Sequence, residues 1–231
     1  MIARQYGASV LAAVLLLSAC GSSPPAPKKV FKTLLNIVVV DQSESFDYAE
    51  FSASDLEHLL QQDAQGHETW AAVISVWGEN SIEQPLQLEG PLLLDTISED
   101  GYSIYQLPEV RQHNQRIKDA YADGLSLIMA AYSAAISKQD RDLSDINGAL
   151  KFAQRLARQK RFAETQIRVI ILSDLDHDLG DGSQLGVFEF PANTTVYPVR
   201  LNKDLNLDEI FPSNPVELMV GLRAAFFTDS R

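Results

Sequence analysis

Leu34-Leu35-Asn36-Ile37-Val38-Val39-Val40-Asp41-Gln42-Ser43-Glu44-Ser45 is the stretch on which the fold turns. Its first seven residues form a near-continuous apolar, β-branched run. Such a run suits a strand covered on both faces, as in a parallel sheet. The run then breaks at once into carboxylates and hydroxyls. In open α/β sheets, sites form at the carboxyl ends of strands.

The same alternation continues along the chain. Thr69–Trp77 (TWAAVISVW) reads as a second buried strand, closed by Gly78. Arg168–Leu172 (RVIIL) reads as a third and Thr194–Val199 (TTVYPV) as a fourth, with Pro198 near its end. Leu86–Leu94 contains Gly90-Pro91, which predicts an interrupted or edge strand. Helical spacing runs over Asp47–Gln62 through Phe51, Leu56, Leu59 and Leu60. Over Pro108–Ser137, the residues Ile117, Tyr121, Leu125, Ile128, Tyr132 and Ile136 make one apolar stripe. Asp145–Lys160 is a further helix, and Val216–Phe227 is expected to close the chain as an apolar helix. Strands alternating with helices predict an α/β fold: a doubly wound, mostly parallel sheet with helices on both faces. Residues 34–231 are expected to form one such domain.

Composition agrees. The chain has 231 residues, 45% hydrophobic and 22% charged, long enough for one well-cored domain and short for two. Its formal net charge of −12 repels nucleic-acid phosphates and anionic surfaces, so no nucleic-acid partner is expected. The lone cysteine, Cys20, permits neither an internal disulfide nor a cysteine-rich zinc site.

The surroundings of Cys20 give it another meaning. Arg4 is the only charge before Lys28, and Gly7–Ala19 is uncharged and mostly Ala, Val and Leu. That run is too short to span a bilayer and reads as a secretory signal. Leu17-Ser18-Ala19-Cys20 resembles the bacterial lipobox, which implies cleavage after residue 19 and lipidation of Cys20. Residues 20–33 then read as the lipidated cysteine and an extended, Pro- and Ser-rich tether. Gly21-to-Lys29 in polyproline geometry reaches roughly 28 Å. The expected location is the cell envelope, lipid-anchored; Gly21 beside the cysteine leans toward the outer membrane, facing the periplasm.

Three segments carry candidate chemistry. Asp41-Gln42-Ser43-Glu44-Ser45 follows the first strand, Ser144-Asp145 opens a helix, and Ser173-Asp174 follows RVIIL. In this order they resemble a von Willebrand factor A domain, a Rossmann-like three-layer sandwich with a metal-ion-dependent adhesion site. That family carries Asp-x-Ser-x-Ser after its first strand, a Thr from a later loop and an Asp after its fourth strand. The resemblance implies metal ligands at Asp41, Ser43, Ser45, Ser144 and Asp174. Ser144 stands where the family has Thr, and Ser173-Asp174-Leu175 where many members have Thr-Asp-Gly. Hard oxygen donors with few charges suit Mg²⁺, or Mn²⁺ or Ca²⁺, and leave the ion electrophilic. An acidic side chain of a partner protein is then expected to complete the site.

Asp174 to Gly182 is the densest acidic stretch. Leu179 and Leu185 stand where a calcium-binding EF-hand loop needs Gly and Glu. The stretch is therefore read as a solvated loop at the strand end, with an acidic rim of Asp176, Asp178 and Asp181 as the functional alternative, and His177 as a loop residue. Ser43, Ser45 and Ser144 also suit plain helix caps.

Enzyme readings fare worse. A dehalogenase-type phosphatase needs Asp where Ser43 stands. Gly-x-Ser-x-Gly and the phosphate-binding GxxxxGK[ST] loop are both absent. A metal-dependent hydrolase is the weakest reading, and no enzyme is expected. A metal-free structural module for envelope assembly is the alternative to metal-dependent adhesion.

Overall fold

The structure is a computed structural model that describes residues 29–42, 51–76, 80–84, 86–137, 143–199 and 205–217. In chain order the elements are β1 (Lys32–Val40), α1 (Ala53–Ala64), β2 (His67–Ser75), β3 (Gln87–Leu92), α2 (Leu107–Ile136), α3 (Ile146–Ala157), β4 (Gln166–Leu172), β5 (Thr194–Pro198) and the single turn α4 (Leu207–Ile210). The strands lie in the order β3-β2-β1-β4-β5. β1 runs parallel to both neighbours, and β4 runs parallel to β5. β3 is antiparallel and forms the edge, as its Gly90-Pro91 step predicts.

β1 is central, and its side chains supply both cores. Leu35, Ile37 and Val39 pack with Ile146, Ala149, Leu150, Ala153 and Leu156 of α3. Val38 and Val40 face the other way, among Leu56, Leu59 and Leu60 of α1 and Ile128 and Tyr132 of α2. Two apolar faces on one strand demand two covering layers, and the result is the α/β three-layer arrangement the sequence predicts.

Asn36 interrupts the apolar run for a local reason. It is the register partner of Arg168 on β4. Its Nδ2 donates to Asp63 Oδ2 of α1 at 3.0 Å, and Arg168 bridges the same carboxylate at 2.9 Å. A buried carboxylate needs such partners, because burying it unpaired is costly.

The helix ends follow local chemistry. Ser52 caps α1, with Asp55 reaching back to the Ser52 N–H at 2.8 Å in a reciprocal capping box. Tyr132 donates its hydroxyl to the Phe51 carbonyl at 2.7 Å, which fastens α2 to the start of α1. Pro108 opens α2 in the first turn, where its missing N–H costs nothing.

One expectation changes. Val216 and Glu217, read as the start of a closing helix, are extended beside β5. Val196 N–H donates to the Pro215 carbonyl at 2.9 Å, and Glu217 N–H to the Val196 carbonyl at 3.0 Å. The outer edge of β5 offers unpaired backbone groups, and pairing them outweighs the apolar spacing. The rest of that stretch lies outside the described residues.

α2 is long for this sheet. Thirty residues make a helix of about 45 Å, against roughly 30 Å for nine-residue β1. Its last turn lies at the carboxyl end of β1, where Gln42 Nε2 donates to the Ala135 carbonyl at 2.9 Å. Gly124 sits against Leu92, the end of β3; a Cβ there would lie 2.6 Å from Leu92 Cδ2. The turns before Gly124 therefore run past the opposite edge of the sheet.

Tyr121 of α2 is buried, and its hydroxyl finds no hydrogen-bond partner among the described residues. Burial pushes its pKa up to about 12, with the Glu57 charge adding to the rise. The fold thus favours the protonated phenol. That contribution is complete below the unfolded value of about 10 and is lost as pH rises through the folded one. Tyr121→Phe is expected to leave the melting temperature at neutral pH unchanged or raised, since it removes an unsatisfied hydroxyl. It should also shrink the loss of stability near pH 11, read by thermal melts across alkaline pH.

Candidate functional site

The strand order reverses at β1. The chain winds from β1 out to β2 and β3 on one side, then returns to β4 and β5 on the other. The carboxyl ends of β1 and β4 therefore stand side by side with their connections leaving in opposite directions. Such a switch point leaves a crevice in which open α/β sheets bind ligands. The sequence puts Asp41 at one of these two ends and Ser173-Asp174 at the other.

Asp41 extends the ladder by one bond, its N–H donating to the Leu172 carbonyl at 2.9 Å. Its side chain is fully buried. Oδ2 accepts from the Ser173 hydroxyl at 2.6 Å, and Oδ1 accepts from the Ser144 hydroxyl at 3.3 Å. Residues 41, 144 and 173 are far apart in sequence and meet at one carboxylate. Asp174 follows Ser173 and is half-buried; its Oδ1 accepts from the Asp176 N–H at 3.1 Å. Ser43, Ser45 and Cys20 lie outside the described residues.

Ser144 does not cap the helix. Asp145 does, with Oδ1 accepting from the Gly148 N–H and Oδ2 from the Ser81 N–H, both at 2.8 Å. The cap one residue later leaves the Ser144 hydroxyl to face Asp41. Gly148 is required beside this cap, because a Cβ there would overlap the Asp145 carboxylate.

The acidic loop is built on its own backbone. Asp178 Oδ1 accepts from Gly180 N–H at 2.7 Å, and Asp181 Oδ1 accepts from Ser183 N–H at 2.8 Å. Together with Asp174 these form successive Asx turns, the geometry that short carboxylates favour. Ser183 beside Asp181 holds its carboxyl below the usual range. Asp176, Asp178 and Asp181 are exposed.

His177 is more than a loop residue. Its Nδ1 lies 2.9 Å from the Ser144 carbonyl and its Nε2 lies 3.2 Å from Ser183 Oγ. A carbonyl only accepts, so Nδ1 carries the proton. The Ser144 N–H also donates to the Asp178 carbonyl at 2.7 Å. These contacts staple the acidic loop to the Ser144 turn and hold the Ser144 hydroxyl near Asp41.

Leu175 has φ +61°, a left-handed backbone that favours glycine. Its side chain is buried in the α3-side core, and that burial holds the strained turn. The turn points the Leu175 N–H at Ser173 Oγ, 2.9 Å away. With that lone pair engaged, the Ser173 proton is aimed at Asp41.

Ser173 is the residue that sequence reasoning underweighted. It was visible as the polar residue directly after a buried apolar strand. Its neighbour Asp174 drew the assignment because it carries charge. Among the described residues no three His, Cys, Asp or Glu side chains gather as a metal site. The convergence is instead one carboxylate with two hydroxyls.

No family model matches the chain, and no curated protein matches it. Among solved structures it is similar to proximal thread matrix protein 1 from the mussel byssus, at 10% identity and a TM-score of 0.39. The similarity covers 84% of this chain and 45% of that one, so the chain spans less than half of that protein's length. A likeness this slight carries no argument about function.

The Asp145 cap makes Gly148 a sharp test. Alanine is the better helix former by about 1 kcal/mol. Gly148→Ala should nevertheless destabilise the domain, by about 1–2 kcal/mol, because it displaces the cap from the Ser81 and Gly148 N–H groups. Chemical denaturation of the variant against wild type reads the sign directly.

Proposed function

We propose that this chain is a lipid-anchored envelope protein whose domain holds a partner protein through a divalent cation at the β1–β4 switch point. One observation carries the reading: Asp41, Ser144 and Ser173 meet at the carboxyl ends of β1 and β4, with Asp174 next in sequence. The donors are hard oxygens, one carboxylate and neutral hydroxyls, and they suit Mg²⁺ or Mn²⁺. Asp41 and Ser144 would hold the ion, with Asp174, Ser43 and Ser45 as the further ligands that the adhesion-domain resemblance implies. Such an ion supplies an electrophilic position that an acidic side chain of the partner can fill. The chain's own contribution is preorganisation: His177 and the Asp178 carbonyl fix the Ser144 turn, and buried Leu175 fixes Ser173. The acidic rim then attracts the cation and any basic surface around the partner's carboxylate.

A second reading has its own support. The two serine hydroxyls already satisfy Asp41 with protein donors. A domain whose central carboxylate is satisfied internally can serve as a metal-free assembly module in the envelope.

Metal titration separates the two. Millimolar Mg²⁺ or Mn²⁺ should raise the melting temperature, since a ligand that binds only the folded state stabilises it by mass action. Asp41→Ala should abolish the shift. A folded wild-type protein that shows no shift would sink the metal reading and leave the assembly module. The anchor is tested separately. Cys20→Ser should release the chain from membrane fractions, and normal processing with persistence there counts against lipidation.

A further inference from the structure

The edge of the sheet opposite the switch point carries a feature that metal binding does not use. The segment after β3 runs down along the first turns of α2, past the sheet edge. Asn114 clamps it there: Oδ1 accepts from the Ile97 N–H and Nδ2 donates to the Ile97 carbonyl, both at 2.8 Å. Arg111 adds a two-pronged contact to Glu99 at 3.0 and 2.8 Å. Ser103 donates its hydroxyl to Gln106 Oε1 at 2.9 Å. These bonds tie polar groups to the helix and leave apolar side chains outward. Ile104 is 74% and Tyr105 86% exposed, with Ile97 and Tyr102 partly exposed beside them. Gly101 to Pro108 contains no charged residue. From Gly124, at the sheet edge, to Leu107 is seventeen residues, about 25 Å of helix.

We propose that this projecting tip inserts into the interfacial layer of a lipid bilayer. Two observations select a membrane over a protein partner. First, Phe31, where the compact domain begins, leads into β1 at this same edge. In polyproline geometry the nine residues from Gly21 to Lys29 would reach roughly 28 Å, close to the length of α2 before Gly124, enough for the anchor and the tip to meet one plane. Second, tyrosine settles at the headgroup level and isoleucine favours the apolar layer below it, and here both stand exposed in a stretch without charge. The acidic balance of the chain gives no attraction to anionic lipid, so the contact is apolar. A tip of this size binds weakly alone and acts together with an anchor. The domain then stands with the β1–β4 crevice facing away from the membrane. The inference rests on the anchored reading above.

The test supplies the anchor chemically. The chain from Cys20 onward is coupled through that cysteine to a maleimide lipid in phosphatidylcholine vesicles. Tyr105→Trp is compared with Leu127→Trp, an exposed position on the part of α2 beside the sheet. Brominated acyl chains should quench the added emission at position 105 by roughly half and leave position 127 unchanged. Raising salt to about 0.5 M should not alter the result. Ile104→Asp in the Tyr105→Trp background should remove the quenching. Equal emission at both positions overturns the proposal and leaves the tip as a protein-docking surface. Quenching lost in salt overturns the apolar contact. A failed natural anchor shows separately, as unmodified Cys20 in the chain from its host, and does not alter this readout.

Discussion

Everything in this domain depends on the confinement of β1. Its backbone is paired on both edges, to β2 and to β4, and from Leu34 onward its side chains are buried on both faces. A strand so enclosed must be apolar along its length, and any polar residue in it needs a dedicated partner. Asn36 finds Asp63, which in turn holds Arg168. Asp41, one step past the strand, finds two serines. Enclosure also forces the chain to leave β1 on one side and come back on the other. That return brings the serines and Asp41 together at the switch point.

The candidate site is then a matter of restraint at several removes. A hydroxyl is a weak, freely rotating group, and it points usefully only when its surroundings fix it. Ser173 is fixed by a left-handed turn that buried Leu175 holds. Ser144 is fixed by His177 and by the Asp178 carbonyl, while Asp145 takes over the capping of α3. The acids of the 174–181 loop therefore serve two ends. They build the Asx turns that shape the loop, and they give the crevice a negative rim.

The two ends of the sheet are chemically unlike. The carboxyl edge gathers carboxylates and hydroxyls. The opposite edge carries the start of β1 and the uncharged Gly101–Pro108 stretch that leads into α2, whose thirty residues overrun the strands. The proposed anchoring would use one end and the proposed partner contact the other.

The strands and their order of burial were legible in the residues, because burial on both faces leaves an unmistakable apolar run. The helices were legible from their apolar spacing, and Asp41 from its place after the first strand. The edge position of β3 was legible from Gly90-Pro91. Other features were not, and for one physical reason: they depend on which distant segments become neighbours. Ser173 and Ser144 matter because β4 and the α3 entry pack against the end of β1. Val216 is extended because the open edge of β5 lies beside it, although its local pattern reads as helix. The role of His177 rests on a carbonyl thirty-three residues away. The sequence by itself determined the layers, since local apolar patterning decides which faces are buried. Only the tertiary structure decided which hydroxyls reach the buried carboxylate and how far α2 projects, since both are set by long-range packing.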